Sequence, residues 1–246
     1  MSLGIVELYP YAMAEGEGVG TAYEYFAKRR VSGGAFARLP AHARVLIAGL
    51  PEKYGCSLDL LLASWERGAD VLVLDERPGA VAKLLATVDK ARSVGMLAGL
   101  RVEARPIKTL DGELPAADLV ACSEVLQRIP APARQSFCAA LVASAPAGLL
   151  FVPNSINASH LKISGLAGMT PEELRELLPI ARDVGLVDMP PFPPGITRSA
   201  EQREQATRGR AEAVAMRALE VIARVERFAP RALAERVAHI AYAAWG

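Results

Sequence analysis

The sequence has no excess of charge of either sign and very little cysteine. Its 28 Lys and Arg residues are matched by 27 Asp and Glu residues, so the net charge of +1 gives no electrostatic drive towards nucleic acid or an anionic membrane. The three cysteines, Cys56, Cys122 and Cys138, form no CxxC pair and no metal-like cluster with histidine. We therefore expect no metal site and no disulfide framework, and a reducing, intracellular compartment.

Long apolar runs are also missing. No window approaches the run of about 18 apolar residues that a membrane-crossing helix needs. The segment 1–18 lacks the basic start and the long apolar core of a signal peptide. The 246 residues, 52% of them hydrophobic, are enough to bury a sizeable core in one domain. We expect a soluble, cytoplasmic, globular protein.

From residue 44 onward, short apolar runs alternate with amphipathic stretches. The apolar runs predict six strands, at about 44–48, 71–75, 100–107, 118–122, 149–152 and 184–189. The stretches between them predict helices at about 57–67, 78–94, 132–145 and 171–182. This alternation predicts an α/β fold with a doubly wound, mainly parallel sheet and helices on both faces.

Helical segments flank this core, so the chain 1–246 is interpreted as a single domain with its core at 44–198. Residues 1–43 form an N-terminal arm with a helix over about 22–31, capped by Thr21 and ended near Gly33-Gly34; the basic run 28–30 is expected to face solvent. Residues 199–236 predict a helical insert that Pro230 divides in two. Residues 237–246 are a possible last strand, although 238–245 could equally continue the second helix.

The segment 44–78 carries the clearest functional pattern. A strand is followed by a turn bounded by Gly49 and Gly55, a helix, and a second strand that stops at Asp75. The turn and helix start offer unpaired N–H groups, and the carboxylate can accept hydrogen bonds from ribose hydroxyls, so a nucleotide-like ligand is indicated. The two glycines are six positions apart, which disfavours a dinucleotide, because that ligand requires G-x-G-x-x-G in one tight turn.

Four segments, in this order, resemble the class I S-adenosylmethionine-dependent methyltransferases over roughly residues 40–190. They are RVLIAGLPEKYG, VLVLDERP, LPAADLVACSEVLQRIP, and LLFVPNSINASHLKISGLAGMTPEELRELL followed by VGLVDM. The resemblance implies a Rossmann-like methyltransferase fold, S-adenosylmethionine as the cofactor, and methyl transfer as the reaction. The chain departs from the family pattern in the bulky LPEKY insert between its two glycines.

The resemblance also implies which residues form the site. The residues expected to contact the cofactor are Gly49, Leu50, Glu52, Gly55, Asp75, Glu76, Ile107, Lys108 and Ser123. Among them Asp75 would bind ribose, Glu52 would face the cofactor's ammonium group, and Ile107 and Lys108 would lie at the adenine. Asp75 could alternatively cap the next helix.

Two residues are candidates for catalysis. His160 is the candidate general base, because the unperturbed pKa of histidine is about 6.5; a structural role is its alternative. Glu124 is expected to serve as a base or as a polar wall, and a solvated loop acid is the alternative.

Two functions fit these patterns. The first is methyl transfer to a small-molecule acceptor. The second is a catalytically inactive, methyltransferase-like protein that binds a ligand or a partner, with 199–236 as an interaction or homodimerisation element. A nucleic-acid acceptor is not expected, because the N/D-P-P-[FY] motif that holds a flipped base is missing and the similar string MPPF at 189–192 follows the sixth strand.

Overall fold

The computed structural model describes residues 3–53, 55–192 and 210–246, without the side chains of 210–212. Seven strands form one sheet: β1 (Arg44–Ala48), β2 (Asp70–Asp75), β3 (Val102–Pro106), β4 (Leu119–Ser123), β5 (Ala147–Pro153), β6 (Asp183–Val187) and β7 (Ile240–Trp245). Their order is β3-β2-β1-β4-β5-β7-β6. Strand β7 runs antiparallel to both of its neighbours, β5 and β6, and the other pairs are parallel.

Helices cover both faces of the sheet. In chain order they are α1 (Ile5–Ala14), α2 (Val19–Ala37), α3 (Leu58–Arg67), α4 (Pro78–Ser93), α5 (Ala131–Ser144), α6 (Ala158–Ser164), α7 (Pro171–Leu177), α8 (Arg210–Val225) and α9 (Arg231–Val237). Alternate residues of β1 point to opposite faces. Val45 and Ile47 belong to the core that includes α1 to α4, whereas Leu46 and Ala48 belong to the core that includes α5 and α7. The predicted doubly wound, mainly parallel α/β fold is confirmed.

The six predicted strands and the predicted helices over 57–67, 78–94 and 132–145 are present, with ends shifted by a few residues. Residues 240–245 form a strand, which decides the alternative left open for 238–245. The predicted helix over 171–182 was too long. It ends at Leu177, because Leu178 leaves the helical conformation and buries its side chain.

The N-terminal arm differs most from its prediction. The sequence did not indicate α1, and α2 begins after Gly18 and continues to Ala37, so Thr21 is not its cap and Gly33-Gly34 does not end it. Glycine in a helix interior costs about 1 kcal/mol. Burial of Ala35 and Phe36 beyond the glycines outweighs this cost. Residues 199–209 of the predicted insert lie outside the described residues; 210–225 and 231–237 are helical, and Pro230 separates them as predicted.

Candidate ligand-binding site

Polar side chains gather at the edge of the sheet where the parallel strands end. Asp75 ends β2, Glu124 follows β4, Asn154 follows β5 and Asp188 follows β6, and Gly49 follows β1 at the same edge. In open α/β sheets, ligands bind in the crevice at this edge. Helix α2 packs against the same region, since Lys28 donates a hydrogen bond to Ser123 Oγ at the end of β4 (3.0 Å).

A cavity lies between the end of β4, the start of α3 and helix α2. Its volume, including the part that is open to solvent, is about 290 Å³. Four carboxylates from four segments line it, and one lysine opposes them. These residues are Glu15, Glu24, Asp59, Glu124 and Lys28. The cavity is therefore strongly acidic.

Lys28 is fully engaged within this cluster. Its Nζ lies 2.8 Å from Asp59 Oδ2 and 3.2 Å from Glu24 Oε1, and it sits 5.2 Å from the centre of the Phe151 ring. Burial by itself lowers the pKa of the ammonium group, but the charges of Asp59 and Glu24 outweigh burial and raise it. The expectation that the basic run 28–30 faces solvent was wrong for Lys28, which is only 3% exposed.

The carboxylates exceed what one lysine can neutralise. Oε2 of Glu124 and Oδ1 of Asp59 are buried and have no hydrogen-bond partner among the described residues. The pKa of Glu124 is raised to about 7; burial is the main cause, the charge of Lys28 opposes it, and the charge of Asp188 adds to it. Burial likewise raises the pKa of Glu24. This region of the site is suited to a cation.

Glu15 differs from the other carboxylates of the cavity, because its side chain accepts hydrogen bonds from backbone N–H groups. It accepts hydrogen bonds from the N–H groups of Cys56 (3.1 Å) and Leu58 (2.6 Å), and so satisfies donors at the start of α3. Burial raises its pKa. Gly55 leaves room for it, since a Cβ there would lie 2.5 Å from Glu15 Oε2.

Asp75 is completely buried, and both of its oxygens are engaged. Oδ2 accepts from the N–H of Leu50 (2.7 Å) and from the guanidinium groups of Arg77 and Arg128 (3.0 Å each). Oδ1 accepts from the N–H and the Nε of Arg77 (2.8 Å each). Burial alone would raise the pKa of Asp75, but these hydrogen bonds and the charge of Arg128 lower it.

Glu76 and Glu52 also have partners within the chain. Glu76 accepts from Arg128 Nη1 (3.0 Å) and from the N–H of Leu110 (3.0 Å). Glu52 accepts from Gln127 Nε2 (3.3 Å). Neither residue lines the acidic cavity.

The absence of a side chain at Gly49 allows the Val125 side chain to pack closely against its backbone. Gly49 has φ of +87°, and a Cβ there would lie 2.7 Å from Val125 Cγ2. Its neighbour Leu50 is buried. Ile107 and Lys108 follow β3; Ile107 is half-buried, and its N–H donates to the backbone oxygen of Asp75 (2.9 Å), whereas Lys108 is exposed.

His160 lies near the ends of β5 and β6, stacked on His239 with ring centres 4.2 Å apart. His239 Nδ1 is 3.1 Å from Asp188 Oδ2. Burial, together with the neighbouring His239, lowers the pKa of His160 to about 4. His160 is therefore uncharged at neutral pH but a weak base.

Sequence reasoning missed Arg77, Asp188 and His239, and also three of the carboxylates that line the cavity, Glu15, Glu24 and Asp59. The signal for Arg77 was its place two residues after Asp75. His239 and Asp188 are far apart in the chain, and only the pairing of β6 with β7 brings them together.

In the ranges 3–53, 55–192 and 210–246, no helix has both the length and the apolar character needed to cross a membrane. No group of three or more His, Cys, Asp or Glu residues in those ranges is arranged to hold a metal ion.

Solved structures share this fold. A magnesium protoporphyrin IX methyltransferase from Synechocystis PCC 6803 with bound SAH matches with a TM-score of 0.53 and 14% identity, over 93% of this chain and 84% of that chain. A mycolic acid cyclopropane synthase complexed with SAH and CTAB matches with a TM-score of 0.54 and 11% identity, over 95% and 87%. The methyltransferase domain of a bacterial Hen1 matches with a TM-score of 0.50 and 12% identity, over 68% and 90%. No family model and no curated protein matches the sequence.

At these identities the likeness concerns the fold. The chain has the Rossmann-like fold of S-adenosylmethionine-dependent methyltransferases.

Proposed function

We propose that the protein is an S-adenosylmethionine-dependent methyltransferase that acts on a small-molecule acceptor. The observation that carries this proposal is the acidic cavity at the end of β4, which four carboxylates and one lysine line. S-adenosylmethionine carries two positive groups, a sulfonium and an ammonium, and one carboxylate, so it is a net cation. Unpartnered oxygens of Glu124 and Asp59 supply the complementary charge.

When bound, the cofactor supplies a methyl group that its positive sulfur already activates. The chain's own part is then alignment and proton removal. Ser123 and Glu124, at the end of β4, would line the reaction space. A carboxyl group with a pKa of about 7 is well matched to accepting a proton near neutral pH, so Glu124 is the preferred base. His160, with its pKa near 4, is a weaker candidate than the sequence suggested.

The residues of the site fit the methionine part of this cofactor but not its ribose. The carboxylates of the cavity suit the cationic methionine part. Asp75, the expected ribose ligand, has both oxygens engaged by Leu50, Arg77 and Arg128. This second observation favours the second candidate function, a protein that binds a cationic ligand without turnover. Homodimerisation and a cytoplasmic location remain predictions.

Isothermal titration of the full chain with S-adenosylmethionine, at pH 8, tests the proposal. We expect a Kd in the micromolar to millimolar range typical of enzyme ligands. The Glu124→Gln variant removes one unpartnered carboxylate and should weaken binding roughly tenfold, or about 1.4 kcal/mol. Glu113→Gln, at an exposed position outside the cavity, is the matched control and should leave the Kd unchanged.

Methyl transfer is measured separately, with labelled cofactor and a panel of amines, phenols and carboxylic acids. Binding with transfer to a panel member supports the enzyme. Binding without transfer to any of them favours the second candidate. Absence of binding at about 1 mM, the upper end of ordinary KM values, both by wild type and by an Arg77→Met variant that frees Asp75 of the Arg77 guanidinium, would reject the cofactor itself.

A further inference from the structure

The side chain of Arg77 turns back over the loop that follows β1. Its Nη2 donates to the backbone oxygens of Leu50 (2.8 Å) and Pro51 (3.1 Å), and its Nη1 to that of Glu52 (3.3 Å). The same guanidinium donates to both oxygens of Asp75. One side chain thus joins the end of β2 to the loop between the two glycines.

Asp75 has no capacity left for a ligand. A carboxylate has about four lone-pair positions. Five hydrogen bonds already reach it, three of them from Arg77, one from Leu50 and one from Arg128. Two ribose hydroxyls would need acceptor positions that are already taken.

We propose that Arg77 occupies the ribose-binding position of the chain's own site, and that an adenosyl ligand reaches Asp75 only after the Arg77 side chain swings out. This inference rests on the proposed function. It makes Arg77 an internal competitor of the cofactor, and it gives the loop at 50–52 a closed and an open arrangement.

Of the two arginines that bind Asp75, Arg77 can move its side chain away from the carboxylate and Arg128 cannot. The side chain of Arg77 is 35% exposed, so water can replace its hydrogen bonds, whereas that of Arg128 is 13% exposed. Arg128 is also held by Glu76. When the Arg77 side chain moves away, Asp75 keeps the backbone N–H groups of Leu50 and Arg77 and the Arg128 guanidinium, so its charge stays compensated.

The size of the effect follows from the population of the open arrangement. The apparent Kd of a ligand equals its intrinsic Kd divided by the fraction of molecules that are competent to bind. If about one molecule in ten has Arg77 turned out, removing the guanidinium tightens binding roughly tenfold.

The experiment compares wild type, Arg77→Met and Arg77→Lys by isothermal titration with S-adenosylhomocysteine and, separately, with L-methionine. Met keeps the apolar stem without the guanidinium. Lys keeps the charge but cannot reach two carboxylate oxygens and three carbonyls together. Arg101→Met is the matched control, because Arg101 pairs with Asp70 at the other end of β2. Urea unfolding of each variant establishes that it is folded.

We expect Arg77→Met to bind S-adenosylhomocysteine about tenfold more tightly than wild type, Arg77→Lys to bind more tightly as well, and Arg101→Met to match wild type. L-methionine, which lacks ribose, should bind all four proteins alike. Binding that appears only in the Arg77 variants supports the inference equally. Equal Kd values for wild type and Arg77→Met would overturn it and leave the proposed function standing. If none of the four proteins binds either S-adenosylhomocysteine or S-adenosylmethionine, the proposed function is overturned, and the inference with it.

Discussion

Lys28 Nζ lies 2.8 Å from Asp59 Oδ2, and this buried ion pair joins the middle of α2 to the first turn of α3. The pair connects the N-terminal arm to the helix that follows β1. Asp59 is placed where its charge also favours the N-terminus of α3. The arm is thus an integral wall of the acidic cavity.

Replacing Lys28 by Met should destabilise the protein by roughly 3–5 kcal/mol at pH 7, the usual loss when one member of a buried ion pair is removed. The raised pKa of Lys28 means that its contribution is complete below the ordinary lysine pKa of about 10.4 and is lost only in strong base. The loss should shrink on acidification, as the neighbouring carboxylates bind protons. Urea unfolding at pH 5 and pH 7 measures both effects. Lys90→Met, on the exposed face of α4, should change stability by less than about 0.5 kcal/mol; an equal loss for both variants would contradict the role of the ion pair.

Glu124 should make the wild-type protein less stable as the pH rises. Its pKa is about 7 when folded and near 4.5 when unfolded, so the folded state binds more protons between these values. Stability from this group is therefore lost between about pH 4.5 and pH 7 and is constant above that. We expect Glu124→Gln to be more stable than wild type by roughly 3 kcal/mol at pH 8 and similar to it at pH 4.5. Denaturant unfolding across this pH range checks the difference, and parallel curves for the two proteins would refute it.

Gly49→Ala should cost roughly 2–4 kcal/mol, because it combines left-handed backbone strain with overpacking. The new Cβ would lie 2.7 Å from Val125 Cγ2 and 3.1 Å from Leu110 Cδ1. Gly68→Ala provides the comparison, since Gly68 has a φ of +63° but nothing within 4 Å of its Cβ position. It should cost only about 1–2 kcal/mol from strain. Thermal unfolding of both variants separates the two costs; equal losses would mean that Val125 moves aside freely.

His160 should stay uncharged down to about pH 5, because burial and His239 lower its pKa to about 4. Folding then opposes protonation, so stability from this group is present above the ordinary pKa of about 6.5 and is lost as the pH falls towards 4. NMR titration of the imidazole C–H signals measures the pKa directly, with His160→Gln identifying the resonance. His42, an exposed residue before β1, serves as a reference signal within the same sample. A midpoint for His160 near 6.5 would contradict the burial argument.

The sequence predicted those parts of the fold that depend on local patterns. The apolar runs of β1 and β2 and the acid at Asp75 could be located because each is encoded within a few residues. The partners of Asp75 could not, because Arg128 is far along the chain and the path of Arg77 depends on the conformation of the loop 50–52. Lys28 stands in a run of three basic residues that is typical of a solvated face. Its burial follows from the packing of α2 against the end of β4, which no local pattern encodes.

The order of the strands also constrains how this protein is made. β7 lies between β5 and β6 in the sheet, although residues 188–239 separate it from β6 in the chain. At the usual rate of about 5–20 residues per second, a ribosome needs roughly 3–10 s to synthesise that stretch. Throughout this interval β6 has no strand to pair with on the β5 side, and β5 presents an open edge of the kind to which other chains add. For several seconds, therefore, no strand of the nascent polypeptide itself pairs with this edge. During that time we expect chaperones to bind it.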